Sequence, residues 1–224
     1  MIRKFKPFLT IMPDAQSQLW SEIQIAARLG FVLYGGTAIA LRLGHRTSID
    51  FDLFTDSPLN HKAIFTELPF VSQSTVIQDH PNALSILVNR AALSQNSVKI
   101  SFFVTIYFGC VGDPELPEGG TLPVASLIDL MASKLKVILQ RAEAKDYQDI
   151  VAMLNHGIPL SKGLTAAQTI FGSNFQPSKS LKAMTYFMDG DLETLTREEK
   201  QTLIHQAGTV NELSDIKLLS KKLI

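Results

Sequence analysis

FVLYGGTAIALRLGHRTSIDFDLF, residues 31–54, reads as strand, glycine turn, short helix and second strand. Phe31, Val32, Leu33 and Tyr34 form an apolar run of strand length, stopped by Gly35 and Gly36. Thr37 is placed to cap a helix, its hydroxyl satisfying a free amide of the first turn. Ala38, Ile39, Ala40, Leu41 and Leu43 continue in good helix formers, and Gly44 can take the left-handed conformation that ends the helix. Residues 48–54 then alternate with period two. Ile49, Phe51 and Leu53 are predicted to point one way, and Asp50, Asp52 and Phe54 the other.

The chemistry lies in that alternation. Residues two apart on a strand sit roughly 6.5–7 Å apart and project from one face. Asp50 and Asp52 can therefore converge on one hard cation, or on two ions about 3.5–4 Å apart. The alternative is an edge strand with both carboxylates in solvent, because paired anions beside a buried face repel and resist dehydration. A glycine turn and helix just upstream favour the cation.

At 224 residues the chain can form one large domain or two lobes with a substantial core. Its 46% hydrophobic and 19% charged residues are those of an ordinary globular protein. Charges balance, 21 against 21, so no overall basic surplus argues for nucleic acid, although a local patch could supply it. The single Cys110 excludes an internal disulfide and fits a reducing cytoplasm. The start, MIRKFKPFLTIM, is too short in apolar residues for a signal-peptide core, and no apolar segment has membrane length. We therefore expect a cytoplasmic protein without a membrane anchor.

Around the 31–54 unit, Pro13-Asp14 predicts a helix start, with Leu19, Ile23, Ala26, Ala27 and Leu29 on its apolar face and Trp20 packing at one end. A surface helix is expected over 60–68, a short strand over 71–76, and an antiparallel strand pair over 83–89 and 98–106, joined through Gln95-Asn96-Ser97. Residues 112–123, with three prolines, three glycines and no periodicity, are expected to be a hinge. Beyond it Ser126 and Asp129 form a capping-box-like start to a helix carrying Leu127, Leu130, Met131, Leu135 and Ile138. A second helix over 144–154 turns Tyr147, Ile150, Val151 and Leu154 inward, and further helices are expected over 161–171, 196–206 and 212–223. The fold class is thus α+β, a mixed-sheet core over 1–122 followed by a helical lobe over 123–224.

These blocks resemble the nucleotidyltransferase fold of the DNA polymerase β superfamily, and within it the AbiEii/AbiGii-type nucleotidyltransferase toxins. The likeness is carried by GGTAIALRLGHRTSIDFDLF (35–54), VKISFF (98–103), SLIDLMASKL (126–135) and AKDYQDI (144–150), with a weaker match in LKAMTYFMD (181–189). It implies NTP as substrate, two Mg2+ ions held by Asp50 and Asp52, and nucleotide binding by Gly35, Gly36, Thr37 and Arg46. It also implies a catalytic Lys134 facing the triphosphate, and a catalytic Asp146 that either serves as a third carboxylate or orients the attacking hydroxyl. Asp149 is a second candidate on the same helix face. The usual third-carboxylate position matches Ser101, a poor ligand for a divalent ion.

Each assignment has a plainer counterpart. Ser101 is then an ordinary strand residue, Lys134 a solvated helix lysine, and Asp146 a first-turn acid at the helix dipole. His45 and Arg46 either lie near the phosphates or cap the helix end and pair with a carboxylate. Lys136, Arg141 and Lys145 are expected to be solvated charges. His61, His80, His156 and His205 lack metal-ligand spacing, and the chain has no P-loop, Rossmann, zinc or nucleophile-elbow motif.

Three functions follow. The first is a magnesium-dependent nucleotidyltransferase moving an NMP to an acceptor hydroxyl, acting as a toxin on tRNA or other RNA and partnered by an antitoxin. The second is a nucleotide- or partner-binding module that has lost turnover, suggested by Ser101. The third is a small-molecule transferase of the aminoglycoside type.

Overall fold

The computed structural model of the protein describes residues 3–89, 97–105, 109–213 and 215–223. In chain order it contains β1 (Lys4–Phe5), α1 (Asp14–Ile23), β2 (Val32–Tyr34), α2 (Gly35–Leu43), β3 (Phe51–Thr55) and α3 (His61–Glu67). There follow β4 (Ser74–His80), β5 (Ala83–Val88), β6 (Val98–Val104) and β7 (Leu116–Pro117). The helices α4 (Leu127–Val137), α5 (Ala144–Asn155), α6 (Leu160–Phe171), α7 (Pro177–Met184) and α8 (Arg197–Gly208) complete the order. The mixed sheet and the helices bear out the α+β expectation.

The chain divides into two compact units. One comprises Met1–Phe108, Asp113–Ala125 and Lys221–Ile224; the other comprises Gly109–Gly112 and Ser126–Ser220. The first holds a five-stranded sheet in the order β2-β3-β6-β5-β4, in which only β3 and β6 run parallel. The period-two pattern of β3 buries Phe51 and Leu53 completely, and their β6 partners Ile100 and Phe102 are equally buried. Trp20 of α1 stacks on Phe51 at 6.2 Å, and Phe31 meets Phe102 edge-on at 5.2 Å. Each such side chain contributes about 1.5–3 kcal/mol by leaving water. The opposite face carries Asp52 and Phe54.

Several local expectations are revised. The strand begins at Phe51, not residue 48, and Ile49 is 50% exposed rather than facing the core. The cause is polar: Ser48 and the Asp50 carbonyl are tied to Thr37, which holds this segment out of the ladder. Residues 71–76 are a 3-10 turn, Val71–Gln73, leading into β4, and the Ser74 hydroxyl closes that turn on the Val71 carbonyl at 2.7 Å. β5 and β6 form the expected antiparallel pair, while Gln95, Asn96 and Ile106 lie outside the described residues.

The glycine- and proline-rich 112–123 is more ordered than its composition suggested. It carries β7, paired in parallel with β1, and Glu115 binds the buried Arg42 guanidinium at 2.7 Å. Burial pulls the Arg42 pKa down, and Glu115 opposes that shift. The helix expected over 212–223 does not form among the described residues. Instead Cys110 and Ser220 form an antiparallel bridge, with Cys110 N donating to Ser220 O at 2.9 Å. That pairing takes amides a helix would need for itself.

In the second unit α4 packs on α5 and α6. The Ser126 hydroxyl caps α4 by accepting from Asp129 N at 3.2 Å. Thr196 and Glu199 form a full capping box on α8. α7, which the sequence did not single out as a helix, starts with Pro177 at its first position, where a missing N–H does no harm. Among the described residues no helix is long and apolar enough to cross a membrane.

Candidate active site

Within the first unit, β2 and β3 set the geometry. Their antiparallel register pairs Tyr34 with Asp52, so the residue just before α2 lies opposite the second carboxylate of the Asp-x-Asp. Helix α2 then starts at once, because Gly35 turns the chain with φ +74°. A Cβ at Gly35 would overlap the Asp52 carboxylate, and one at Gly36 would overlap the Arg46 guanidinium. Gly35 is required for space as well as for backbone angle. Asp52 and Arg46 thus both reach the first turn of α2, whose amides carry partial positive charge. Arg46 also donates through Nη1 to its neighbour Thr47 O at 3.0 Å.

Thr37 does not cap this helix. Tyr34 occupies the N-cap position without a side-chain cap bond, and Thr37 sits inside the first turn, 1% exposed. Its hydroxyl donates to the Asp50 carbonyl and lies 2.8 Å from the Ser48 hydroxyl. Gln16 of α1, fully buried, adds its amide Nε2 at 3.3 Å from Thr37 Oγ1 and 3.4 Å from the Asp50 carbonyl. The first turn of α2 therefore has the Asp52 carboxylate against Gly35, the Arg46 guanidinium against Gly36, and the Asp50 carbonyl and Ser48 hydroxyl on Thr37. Sequence reasoning missed Gln16, which belongs to no motif, and Ser48, which sits in the 35–54 block without a role assigned to it.

Ser101 lies beside Asp52 in the parallel β3–β6 register and is wholly buried. Its hydroxyl is 3.1 Å from that of Ser85, which is 3.2 Å from Gln78 Oε1. The row running from Asp52 across β6, β5 and β4 is therefore uncharged and internally satisfied. Among the described residues no group of three or more His, Cys, Asp or Glu side chains is placed to hold a metal ion. The Asp52 carboxylate at the α2 mouth, with Asp50 two residues before it, still fits Mg2+, which keeps several waters and binds proteins through one or two carboxylates plus substrate phosphates.

The second unit contains its own charged cluster. Lys134 of α4 places Nζ 2.6 Å from Asp146 Oδ1 and 2.7 Å from Asp149 Oδ2, both carboxylates on α5 and both fully buried. Lys134 is not a solvated lysine; its side chain is 8% exposed. Arg141, expected in solvent, forks onto Asp146 through Nε at 2.8 Å and Nη2 at 3.2 Å. Burial by itself would raise the Asp146 pKa, but the Arg141 hydrogen bonds and the Lys134 charge outweigh it and hold the carboxyl below its ordinary value. Next in sequence, Tyr147 donates to the Ala183 carbonyl at 3.2 Å. Burial first, then the charges of Asp146 and Asp189, push its phenol up to about 12.

The model of the nucleotidyl transferase AbiEii toxin family, type IV toxin–antitoxin system, matches residues 19–213. An uncharacterized protein of Aquifex aeolicus (strain VF5) is 29% identical over 162 residues, covering 71% of this chain and 74% of the relative. Among solved structures, MenT4, a nucleotidyltransferase toxin from Mycobacterium tuberculosis H37Rv, superposes with a TM-score of 0.56 at 14% identity. That match covers 88% of this chain and 85% of MenT4, a likeness of fold. The family match takes in both the α2–β3 site and the Lys134–Asp146 cluster, and the chain belongs to the AbiEii nucleotidyltransferase toxin family.

Proposed function

We propose that this nucleotidyltransferase moves an NMP from an NTP to an acceptor hydroxyl with Mg2+, acting in the cytoplasm as a toxin on tRNA or another RNA and restrained by an antitoxin protein. The supporting observation is the first turn of α2, where the Asp52 carboxylate and the Arg46 guanidinium close on Gly35 and Gly36 and the Asp50 carbonyl is tied to Thr37. Mg2+ bound there would neutralise phosphate charge and activate the acceptor oxygen. Asp50 and Asp52 would hold it, the α2 amides and Arg46 would receive phosphate oxygens, and Thr37 fixes the backbone at Asp50.

In this scheme 1–122 is the catalytic core, and 123–224 is the helical lobe that carries Lys134 and Asp146. The acceptor oxygen forms a bond to the α-phosphorus while the bond to the β-phosphate oxygen breaks, and pyrophosphate leaves. The hydroxyl proton passes to solvent; Asp146, kept ionised by Arg141 and Lys134, is engaged in the charge network of its own unit. Lys134 is held between two buried carboxylates, Asp146 and Asp149, within the same unit.

The test is incorporation of α-labelled ATP, GTP, CTP and UTP into total cellular RNA with Mg2+. Label should enter RNA with the wild type and be lost in Asp50→Ala, whose half-buried carboxylate is not part of the core. A fully active Asp50→Ala protein would exclude the assigned site. A binding module without turnover is favoured by one observation, the neutral and satisfied Ser101 beside Asp52. It predicts Mg2+-dependent NTP binding with no pyrophosphate released.

A further inference from the structure

Asp50 lies just outside the sheet. β3 begins at Phe51, Ile49 is 50% exposed, and no strand ladder fixes the backbone of 48–50. The Asp50 carbonyl instead accepts from Thr37 Oγ1 and approaches Gln16 Nε2 at 3.4 Å, while Ser48 Oγ braces Thr37 at 2.8 Å. All three clasp residues are buried: Gln16 0%, Thr37 1% and Ser48 8% exposed. Gln16 pays for its place, since its Oε1 has no hydrogen-bond partner among the described residues. An apolar side chain of the same length would avoid that penalty. What glutamine supplies in return is the amide N–H that two oxygens of the clasp share.

We infer that Gln16, with Ser48, is a positioning residue for Asp50: it fixes the backbone that carries the first carboxylate of the Asp-x-Asp and so sets divalent-cation affinity. The inference rests on the metal role proposed for Asp50. Gln16 touches neither the ion nor the substrate; it acts through Thr37 and the Asp50 backbone. Partners that orient a metal ligand from behind tune affinity by about 10- to 100-fold.

The test compares wild type with Gln16→Met and Ser48→Ala on the full chain by two readouts. Amide hydrogen exchange over 48–52 reports the clasp without any metal. Titration with Mn2+ alone, followed by electron paramagnetic resonance, reports affinity. Faster exchange at 48–52 together with Mn2+ binding weakened about 10-fold in both variants is expected. Adding Gln16→Met to Asp50→Ala should weaken Mn2+ binding no further, a result that a general loss of packing would not give. Unchanged exchange over 48–52 overturns the clasp. Faster exchange with unchanged Mn2+ affinity overturns the positioning role. Should Gln16→Met unfold, Ser48→Ala, which loses one hydroxyl, decides by the same readouts. Wild-type protein that takes up no Mn2+ overturns the metal role and the positioning role with it, and the exchange data separate that outcome from failure of the clasp.

Discussion

Lys134→Met should unbalance the helical unit more than its size suggests. The lysine bridges two fully buried carboxylates at 2.6 and 2.7 Å, and its own side chain is 8% exposed. Methionine keeps the volume and removes the charge. Asp146 keeps its Arg141 fork, but the cation that joined it to Asp149 is gone. Breaking a buried pair from one side costs about 3–5 kcal/mol, because the remaining charge stays buried. By contrast Arg141 is 47% exposed, so solvent screens its bonds, and Arg141→Met should cost no more than about 1 kcal/mol. Adding Asp149→Asn to Lys134→Met leaves one carboxylate facing one guanidinium and should recover part of the loss. Urea unfolding followed by circular dichroism gives all three values. Equal stability of Lys134→Met and wild type, or a double variant as weak as the sum of its parts, would refute the picture of a charge-balanced core.

Other outcomes follow from the same geometry. Gly35→Ala meets both a left-handed backbone angle and the Asp52 carboxylate, so it should destabilise by about 1 kcal/mol or more and abolish activity; a fully active variant in calorimetry and transfer assays would contradict the close approach. Asp146 has a lowered pKa, so its stabilisation is present above the unfolded carboxyl value of about 4 and is lost as pH falls through the lower folded value. Acid unfolding of Asp146→Asn should therefore show a flatter pH dependence below pH 4 than wild type, with lower stability at neutral pH. Tyr147, raised to about 12, favours the folded state below the unfolded phenol value of about 10 and loses that contribution as pH climbs to about 12. Its absorbance should titrate well above the ordinary phenol range, and Tyr147→Phe should remove the alkaline step.

Much of the site was legible because local rules and tertiary packing agree over 31–54. An apolar run, two glycines, good helix formers and Gly44 each point to the element that forms, and Gly44 ends α2 at φ +65°. Ser126 likewise announced α4. The misses at Thr37 and Gln16 share a cause, polar partners distant in sequence. Thr37 was read as a cap because a helix start attracts hydroxyls, yet it serves the Asp50 carbonyl. Gln16 gives no signal, since its partners lie 21 and 34 positions away. Arg141 looked solvated because its fork onto Asp146 depends on how the turn after α4 closes. Residues 212–223 have helical propensity, but bridging to Cys110 overrides it.

The decisive measurement follows the two ends of the triphosphate separately. Wild-type protein is incubated with Mg2+ and RNA, and with each NTP labelled in turn at the α- or the γ-phosphate. Nucleotidyl transfer predicts α-label in the RNA and γ-label in pyrophosphate, in equal amounts, with both absent for Asp50→Ala. Label from the γ-phosphate in the RNA would mean phosphoryl transfer. Free inorganic phosphate without α-label in any acceptor would mean hydrolysis. Either result would contradict the function assigned to the Asp50–Asp52 site.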